Sequence, residues 1–324
     1  MMGLLQDIQK PISKELECCA EQFQQTLQHD NPLLTMAVNH VMKGRGKMVR
    51  PSLVMLSAKM FGEVNQKVMD VALALELLHT ASLIHDDVVD ESDRRRGQKS
   101  VNALMTNQTA VLVGDFILSR ALHHAANTGD TRVVDAVSML GQTLADGELL
   151  QLHNIDTDVL DEASYYAVIR RKTASMFATA AQLGVMESGG TDDEAERMRQ
   201  YGQLIGSCFQ IRDDIFDYEE NDVGKPVGND MKEGKLTLPV IHAINKTHDE
   251  DMKKRALAVR RREASEEDIR LLVAFTIEKG GLDYARWAMD ELRMMADGLI
   301  DESKDAAVVE SLHKFVTFVS ARLY

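Results

Sequence analysis

An all-helical fold is what this sequence predicts, and three observations predict it. Proline is rare, five in 324 residues, and aromatic side chains make up only 5%. Alanine, leucine, methionine, glutamate and lysine, all strong helix formers, are abundant. Apolar side chains recur at helical spacing almost everywhere, and alternating strand-like runs are scarce.

The elements follow in chain order. A first apolar stripe runs from Leu33 to Met42, and a second from Pro51 to Met60, with Gly62 placed to end it. Val68 to Ile84 is the most apolar run and reads as a buried core helix. Thr109 to Ala125, Val133 to Leu152 and Ala163 to Leu183 repeat the period. Thr191-Asp192-Asp193-Glu194 puts a capping residue three positions ahead of a glutamate, so a helix should open there and carry Glu194 to Phe216. Leu238 to Ile244 and Asp268 to Ile300 complete a bundle of roughly a dozen helices. Three polar, glycine-containing breaks interrupt it, Lys43 to Lys47, Glu91 to Ser100 and Glu219 to Gly234, and Gly97 sits where a helix could end. With no repeat, linker or composition shift, residues 1–324 read as one domain. Residues 245–324 carry no motif and are assigned to the bundle and dimer scaffold.

Charge and cysteine content exclude several classes. Lys and Arg total 37 against 51 Asp and Glu, a formal charge of −14, which disfavours nucleic acid or anionic lipid as a general partner. The three cysteines include an adjacent pair, Cys18-Cys19, and show no CxxC spacing, so they read as reduced thiols. The N-terminus lacks the cationic start and cleavage site of a signal peptide. A cytoplasmic protein is expected. The stretch Val71 to Ile84 contains Glu76 and His79 and reads as too short and too polar to span a bilayer, so no stable membrane insertion is expected.

Chemistry concentrates in the breaks. Asp86, Asp87 and Asp90 form DDVVD at the end of the most apolar run, and Asp213, Asp214 and Asp217 form DDIFD after another. At about 100° per residue the first and last aspartates of each share a helix face. One such triplet is usually a solvated helix end. Two of them, each opposing the macrodipole at a helix C-terminus, carry a repeated local cost that a bound cation would relieve. Carboxylate oxygens without His or Cys favour magnesium, with manganese as the alternative. Nearby cations, Arg94-Arg95-Arg96, Lys47, Arg50, Lys172, Lys225 and Lys235, with the intrahelical His79, would suit two diphosphate groups. The residues alone stop at a metal-assisted diphosphate site among apolar helices.

Taken in order, Gly46-Lys47-Met48-Val49-Arg50-Pro51, His79, DDVVD with the following Arg95-Arg96-Gly97, Gly147-Glu148-Leu149-Leu150-Gln151, Lys172-Thr173, Phe209-Gln210-Ile211-Arg212-Asp213-Asp214, Gly224-Lys225-Pro226-Val227-Gly228-Asn229-Asp230 and Glu233-Gly234-Lys235 resemble the trans-prenyltransferase family over roughly residues 40–240. The resemblance implies an isoprenoid-synthase-type bundle around a deep apolar cavity, usually as a homodimer. It implies that Asp86, Asp87, Asp90, Asp213, Asp214 and Asp217 hold three magnesium ions bridging an allylic diphosphate, clamped by Arg95, Lys172, Lys225 and Lys235. Isopentenyl diphosphate would lie on Lys47, Arg50, His79 and Arg96. Gln210 and Thr173 would turn their oxygens to the developing carbocation, with Lys172 and Lys235 assisting departure of the diphosphate.

Product length is read from the turns ahead of DDVVD. Ala81 and Ser82 are small where short-chain relatives tend to carry rings, and Leu78, Leu77 and Ala74 follow, with Ala121 and Ala125 on a facing helix. An open tunnel and a product of about six to ten isoprene units are expected, each unit adding close to one helical turn. The bland account is that Ala81 and Ser82 merely let helices pack closely. The alternatives are a geranylgeranyl or farnesyl synthase, a terpene cyclase, whose usual second motif differs from DDIFD, and a non-catalytic subunit, which typically loses the aspartates. Product release through transient membrane contact is the remaining expectation.

Overall fold

The computed structural model describes residues 2–44, 46–155, 157, 159–218 and 228–320. Seventeen α-helices lie within them: α1 (Met2–Gln9), α2 (Ser13–Thr26), α3 (Pro32–Lys43), α4 (Val49–Lys59), α5 (Gln66–Val89), α6 (Val101–Leu104), α7 (Asn107–Asn127), α8 (Thr131–Ile155), α9 (Glu162–Ile169), α10 (Ser175–Ser188), α11 (Asp192–Phe216), α12 (Asn229–Lys232), α13 (Leu238–Thr247), α14 (Glu250–Arg260), α15 (Glu266–Glu278), α16 (Gly281–Asp297) and α17 (Ala306–Ser320). The only strands among the described residues are β1 (Arg94–Arg95) and β2 (Gln98–Lys99), an antiparallel hairpin with Arg94 opposite Lys99.

The helix α5 is the axis of the bundle. Asn65 caps it by accepting from the Val68 N–H at 3.0 Å, and Leu73, Leu75 and Leu77 are fully buried. It packs most extensively on α7, and also on α4 and α10. Gly184 of α10 lets that helix close on α4, since a Cβ there would stand 2.3 Å from the Val54 carbonyl oxygen. Gly202 of α11 does the same against the Phe177 carbonyl. The helix α5 has 24 residues, long enough and apolar enough to cross a membrane, so shortness does not exclude that role. Burial decides it, because 72% of its most apolar window is covered by the rest of the chain.

The capping box at Thr191 forms as expected, with Thr191 and Glu194 satisfying each other's backbone N–H. Gly62 follows the end of α4 and returns its N–H to Ala58. Other expectations are corrected. Gly97 ends no helix; with Arg96 at φ 50° and Gly97 at +79° it makes the tight turn of the hairpin. The run Asp268 to Ile300 is two helices, parted at Gly280, whose φ of +79° favours glycine. The run Ala163 to Leu183 is interrupted by one wide π-helical turn, Arg170–Ala174. The helices α1, α2, α14 and α17 lie outside the apolar runs, and α17 packs on α1, α11 and α16.

Candidate active site

The last turn of α5 carries the first aspartate triplet to the rim of the bundle. Asp86 and Asp90 lie a turn apart, with the Asp90 N–H on the Asp86 carbonyl at 2.8 Å. Burial, reinforced by Glu148 and Asp90 and opposed by Lys172, pushes the Asp86 carboxyl up to about 6. Asp87 is only 3% exposed and accepts from Nε and Nη2 of Arg95 at 2.8 and 2.6 Å. Burial raises its carboxyl, against the pull of that guanidinium.

The second triplet closes α11. Asp214 is buried, accepting from the Tyr165 hydroxyl at 2.5 Å and from the Gln210 amide at 2.9 Å. Burial, and then Asp230, holds it well above the carboxylate range. Asp213 pairs with Arg212 at 2.7 Å. Asp217 accepts from the N–H groups of Asn229 and Asp230 at 2.9 and 3.0 Å, capping the start of α12.

A cavity of about 250 Å³ is lined by one aspartate of each triplet, Asp90 and Asp214, with Lys172, Thr173, Gln210 and Lys235 among others. The π turn presents Lys172 and Thr173 to it, a wide turn of the kind that recurs at functional sites. Lys172 ion-pairs with Glu148 and donates to Gln151 at 3.1 Å, so the Gly147–Gln151 motif on α8 aims this cation. Gly147 permits the approach, since a Cβ there would sit 2.7 Å from the Arg171 Cβ. Thr173 donates to Gln210 Oε1 at 2.8 Å, completing a chain from Tyr165 through Asp214 and Gln210 that fixes where these oxygens point. Lys235 pairs with Glu233 at 2.7 Å. Burial opposes its charge, but Glu233, Asp90 and Asp230 outweigh that and hold its pKa high.

A second cavity, of about 80 Å³, is lined by Asp87, His79, Arg95 and Arg96 beside Gly44 and Gly46. Arg96 donates to the Gly44 carbonyl at 2.9 Å. Arg50 lies close by, over the Phe177 ring at 5.4 Å, and its buried Nε has no hydrogen-bond partner among the described residues. Burial lowers it to about 10, Glu76 working against and Arg96 with that shift. His79 is held well below its ordinary value by burial and by Arg50, Arg96 and Arg95. A buried guanidinium with an orphaned donor, beside the partly exposed Arg95 and the exposed Arg96, suits an anion. Lys47 is exposed on the segment before α4, where its carbonyl accepts from Gln9 at 3.2 Å.

Lys225 lies outside the described residues. Among the proposed tunnel residues, Ala81 and Leu78 are buried, and Ser82 is half-buried with its hydroxyl on the His79 carbonyl. Sequence reasoning assigned no role to Tyr165, Asp230, Glu233, Arg260 or Arg262, which also line the larger cavity. Asp230 sat inside a quoted motif; burial and Asp217 push it up to about 7. Tyr165 and Arg260 carried no local signal.

The donor set fits a hard divalent cation. It is all carboxylate oxygen, and Asp86 and Asp230 are destabilised by burial and by neighbouring acids. Among the described residues no three metal-binding side chains converge, so a cation held here would need oxygens from water and substrate phosphate as well.

Residues 31–275 match the polyprenyl synthetase family model. The chain is 35% identical over 301 residues to the octaprenyl diphosphate synthase of Haemophilus influenzae, covering 91% of this chain and 90% of that one. It is 38% identical to the geranylgeranyl pyrophosphate synthase of Bacteroides thetaiotaomicron, with TM-score 0.87 over 99% of this chain and 100% of that chain. A polyprenyl synthase from Caulobacter crescentus, crystallised with calcium and isoprenyl diphosphate, is 30% identical, with TM-score 0.90 over 98% of each chain. The chain therefore belongs to the polyprenyl synthetase family, and is an all-α prenyltransferase.

Proposed function

We propose that the chain is a magnesium-dependent trans-polyprenyl diphosphate synthase that condenses isopentenyl diphosphate with an allylic diphosphate, head to tail, to give a product of about six to ten isoprene units. The observation that carries this reading is the pairing of two unlike cavities at one rim. The larger has carboxylates, Lys172 and Lys235; the smaller has His79, Arg95 and Arg96, with Arg50 near, and no acid but Asp87 and Glu76.

Three magnesium ions held by the two triplets would draw charge from the departing diphosphate. Lys172, Lys235 and Arg95 bind its oxygens from the sides. Arg50, His79, Arg96 and Lys47 hold isopentenyl diphosphate, keeping its alkene toward the allylic carbon. The Tyr165–Asp214–Gln210 chain holds the Gln210 and Thr173 oxygens in place beside the developing positive charge, where dipoles fixed in advance stabilise most. The apolar helices below exclude water that would trap the cation. The proton lost at the end passes to the released diphosphate.

Long product is favoured by Ala81 and Ser82, although the relatives include makers of both octaprenyl and geranylgeranyl chains. Retention of both triplets speaks against a cyclase or a non-catalytic subunit. We further infer one domain over residues 1–324, a homodimer and a cytoplasmic location, the last fitting Cys18, Cys19 and Cys208 as free thiols. The test is incubation of the pure chain with magnesium, farnesyl diphosphate and labelled isopentenyl diphosphate, then chromatography of dephosphorylated products. A ladder ending at about six to ten units is expected; an end at four would make it a geranylgeranyl synthase.

A further inference from the structure

A second run of three arginines, Arg260-Arg261-Arg262, closes α14 beyond every motif quoted above, yet Arg260 and Arg262 both line the larger cavity. Their roles divide. Arg260 is committed to the fold: it is 8% exposed, and its Nη1 donates to the carbonyls of Thr157 at 3.0 Å and Val159 at 2.7 Å. Arg262 is exposed, and among the described residues its one side-chain hydrogen bond runs from Nε to the Glu233 carbonyl at 3.3 Å. That contact sets the guanidinium beside the segment carrying Lys235, whose ammonium holds the Glu233 carboxylate at 2.7 Å. Gly234 admits it, since a Cβ there would stand 3.2 Å from the Arg262 Cγ. Burial works to raise the Glu233 carboxyl, but Lys235, Asn229 and Arg262 outweigh it and hold it low.

The backbone beneath Arg262 sets it apart. The Glu263 N–H returns to the Ala258 carbonyl and the Arg262 N–H to the Val259 carbonyl, both at 2.9 Å. This is the left-handed helix ending whose turning position glycine normally fills. Arg262 stands at that position with φ 58°. A side chain there costs stability that glycine would not, and an exposed one recovers little of it by packing. A strained arginine on a cavity wall therefore calls for a reason outside the fold.

We propose that Arg262 is a further diphosphate-binding residue of the larger cavity, supplied from outside the motifs and working beside Lys235. The inference rests on the synthase reading above. Both lysines of this cavity already face carboxylates, Lys172 on Glu148 and Lys235 on Glu233. Arg262 leans on a neutral carbonyl instead, so its charge is kept for a ligand. Its planar fork of N–H groups matches a pair of phosphate oxygens, which a lysine cannot bridge in the same way. The bond from Nε orders the side chain before the anion arrives, and less freedom is then lost on binding.

The experiment compares the full-length chain with Arg262→Gly and Arg262→Gln. Calorimetric titration with inorganic diphosphate and magnesium reads the site without turnover, and thermal unfolding reads the fold. In Arg262→Gly the Kd for diphosphate should rise about tenfold while the ligand-free thermal midpoint rises by about 2 °C. Arg262→Gln can still donate to the Glu233 carbonyl but has lost the charge, and should bind as weakly as the glycine variant. In turnover, a raised KM for farnesyl diphosphate in the variants assigns Arg262 to the bound substrate, and an unchanged KM beside the weakened titration assigns it to the diphosphate after release. Either supports the proposal. Parent-like affinity in Arg262→Gly or in Arg262→Gln overturns it, and so does a glycine variant that loses thermal midpoint together with affinity, because the arginine would then serve the fold. A parent chain that binds diphosphate but incorporates no isopentenyl diphosphate would instead sink the synthase reading, a result distinct from an unchanged affinity.

Discussion

At the scale of single residues, function is bought here with local instability. The Asp86 carboxyl is pushed to about 6, chiefly by burial. Its folded pKa is thus raised, so its cost is absent below the unfolded value and fully present above about 6. Asp86→Asn should therefore stabilise the metal-free protein by about 2 kcal/mol at neutral pH, read by denaturant titration, while lowering kcat by about 10³-fold. A less active variant that is also less stable would show that the aspartate serves packing. Ala81 tests the wall of the tunnel. Ala81→Phe should block it and shorten the product to about three or four isoprene units, and an unchanged length would remove Ala81 from that wall.

At the scale of elements, helix contacts aim the side chains. Gly147→Ala would drive a methyl against Arg171 and Lys172. We expect kcat to fall about 10- to 100-fold with the thermal midpoint changed by only a few degrees, since the displaced part is the aim of one lysine. At the far side of the bundle His313 on α17 bridges Asp297 and Glu302 at 2.8 Å each. Burial disfavours its charge, but the two carboxylates outweigh that and raise its pKa. The clasp is thus at full strength below the ordinary histidine value and fades as pH rises through the raised one. The thermal midpoint should drop by about 2 °C between pH 6 and pH 8.5, and His313→Gln should flatten that profile. The sequence made the long helices legible because their apolar period is strong, and it marked the start of α11 through Thr191. It hid the hairpin, whose two-residue strands have no period, and the π turn, whose extra residue leaves composition unchanged. Tyr165 and Arg260 were equally hidden, since their roles arise from helices that meet only in three dimensions.

At the scale of the whole molecule, apolar side chains remain outside the core on α7 and α8. Leu112, Leu122, Met139 and Leu149 are between 43% and 65% exposed. Exposed apolar side chains gathered on these two helices suit an interaction surface. For the proposed homodimer, light scattering should give twice the chain mass, and Leu112→Glu with Leu122→Glu should give a monomer. A wild-type monomer at micromolar concentration would leave those residues to another partner. The charge balance bears on the same scale. A net −14 leaves the basic pocket as a local exception, so anionic substrates should bind with a pronounced dependence on salt.

The wide turn at Arg170–Ala174 also bears on how such a chain tolerates change over time. One surplus residue in an otherwise regular helix offsets the segments on either side by about 100° of rotation. The segment through Lys172 keeps a register of its own, and α10 beyond it keeps one set by its neighbours. A lineage can therefore drift along α10, resizing its buried residues, without rotating the lysine proposed to receive the diphosphate. Loss of that one residue would join the two registers again, so that every change along α10 would also turn Lys172.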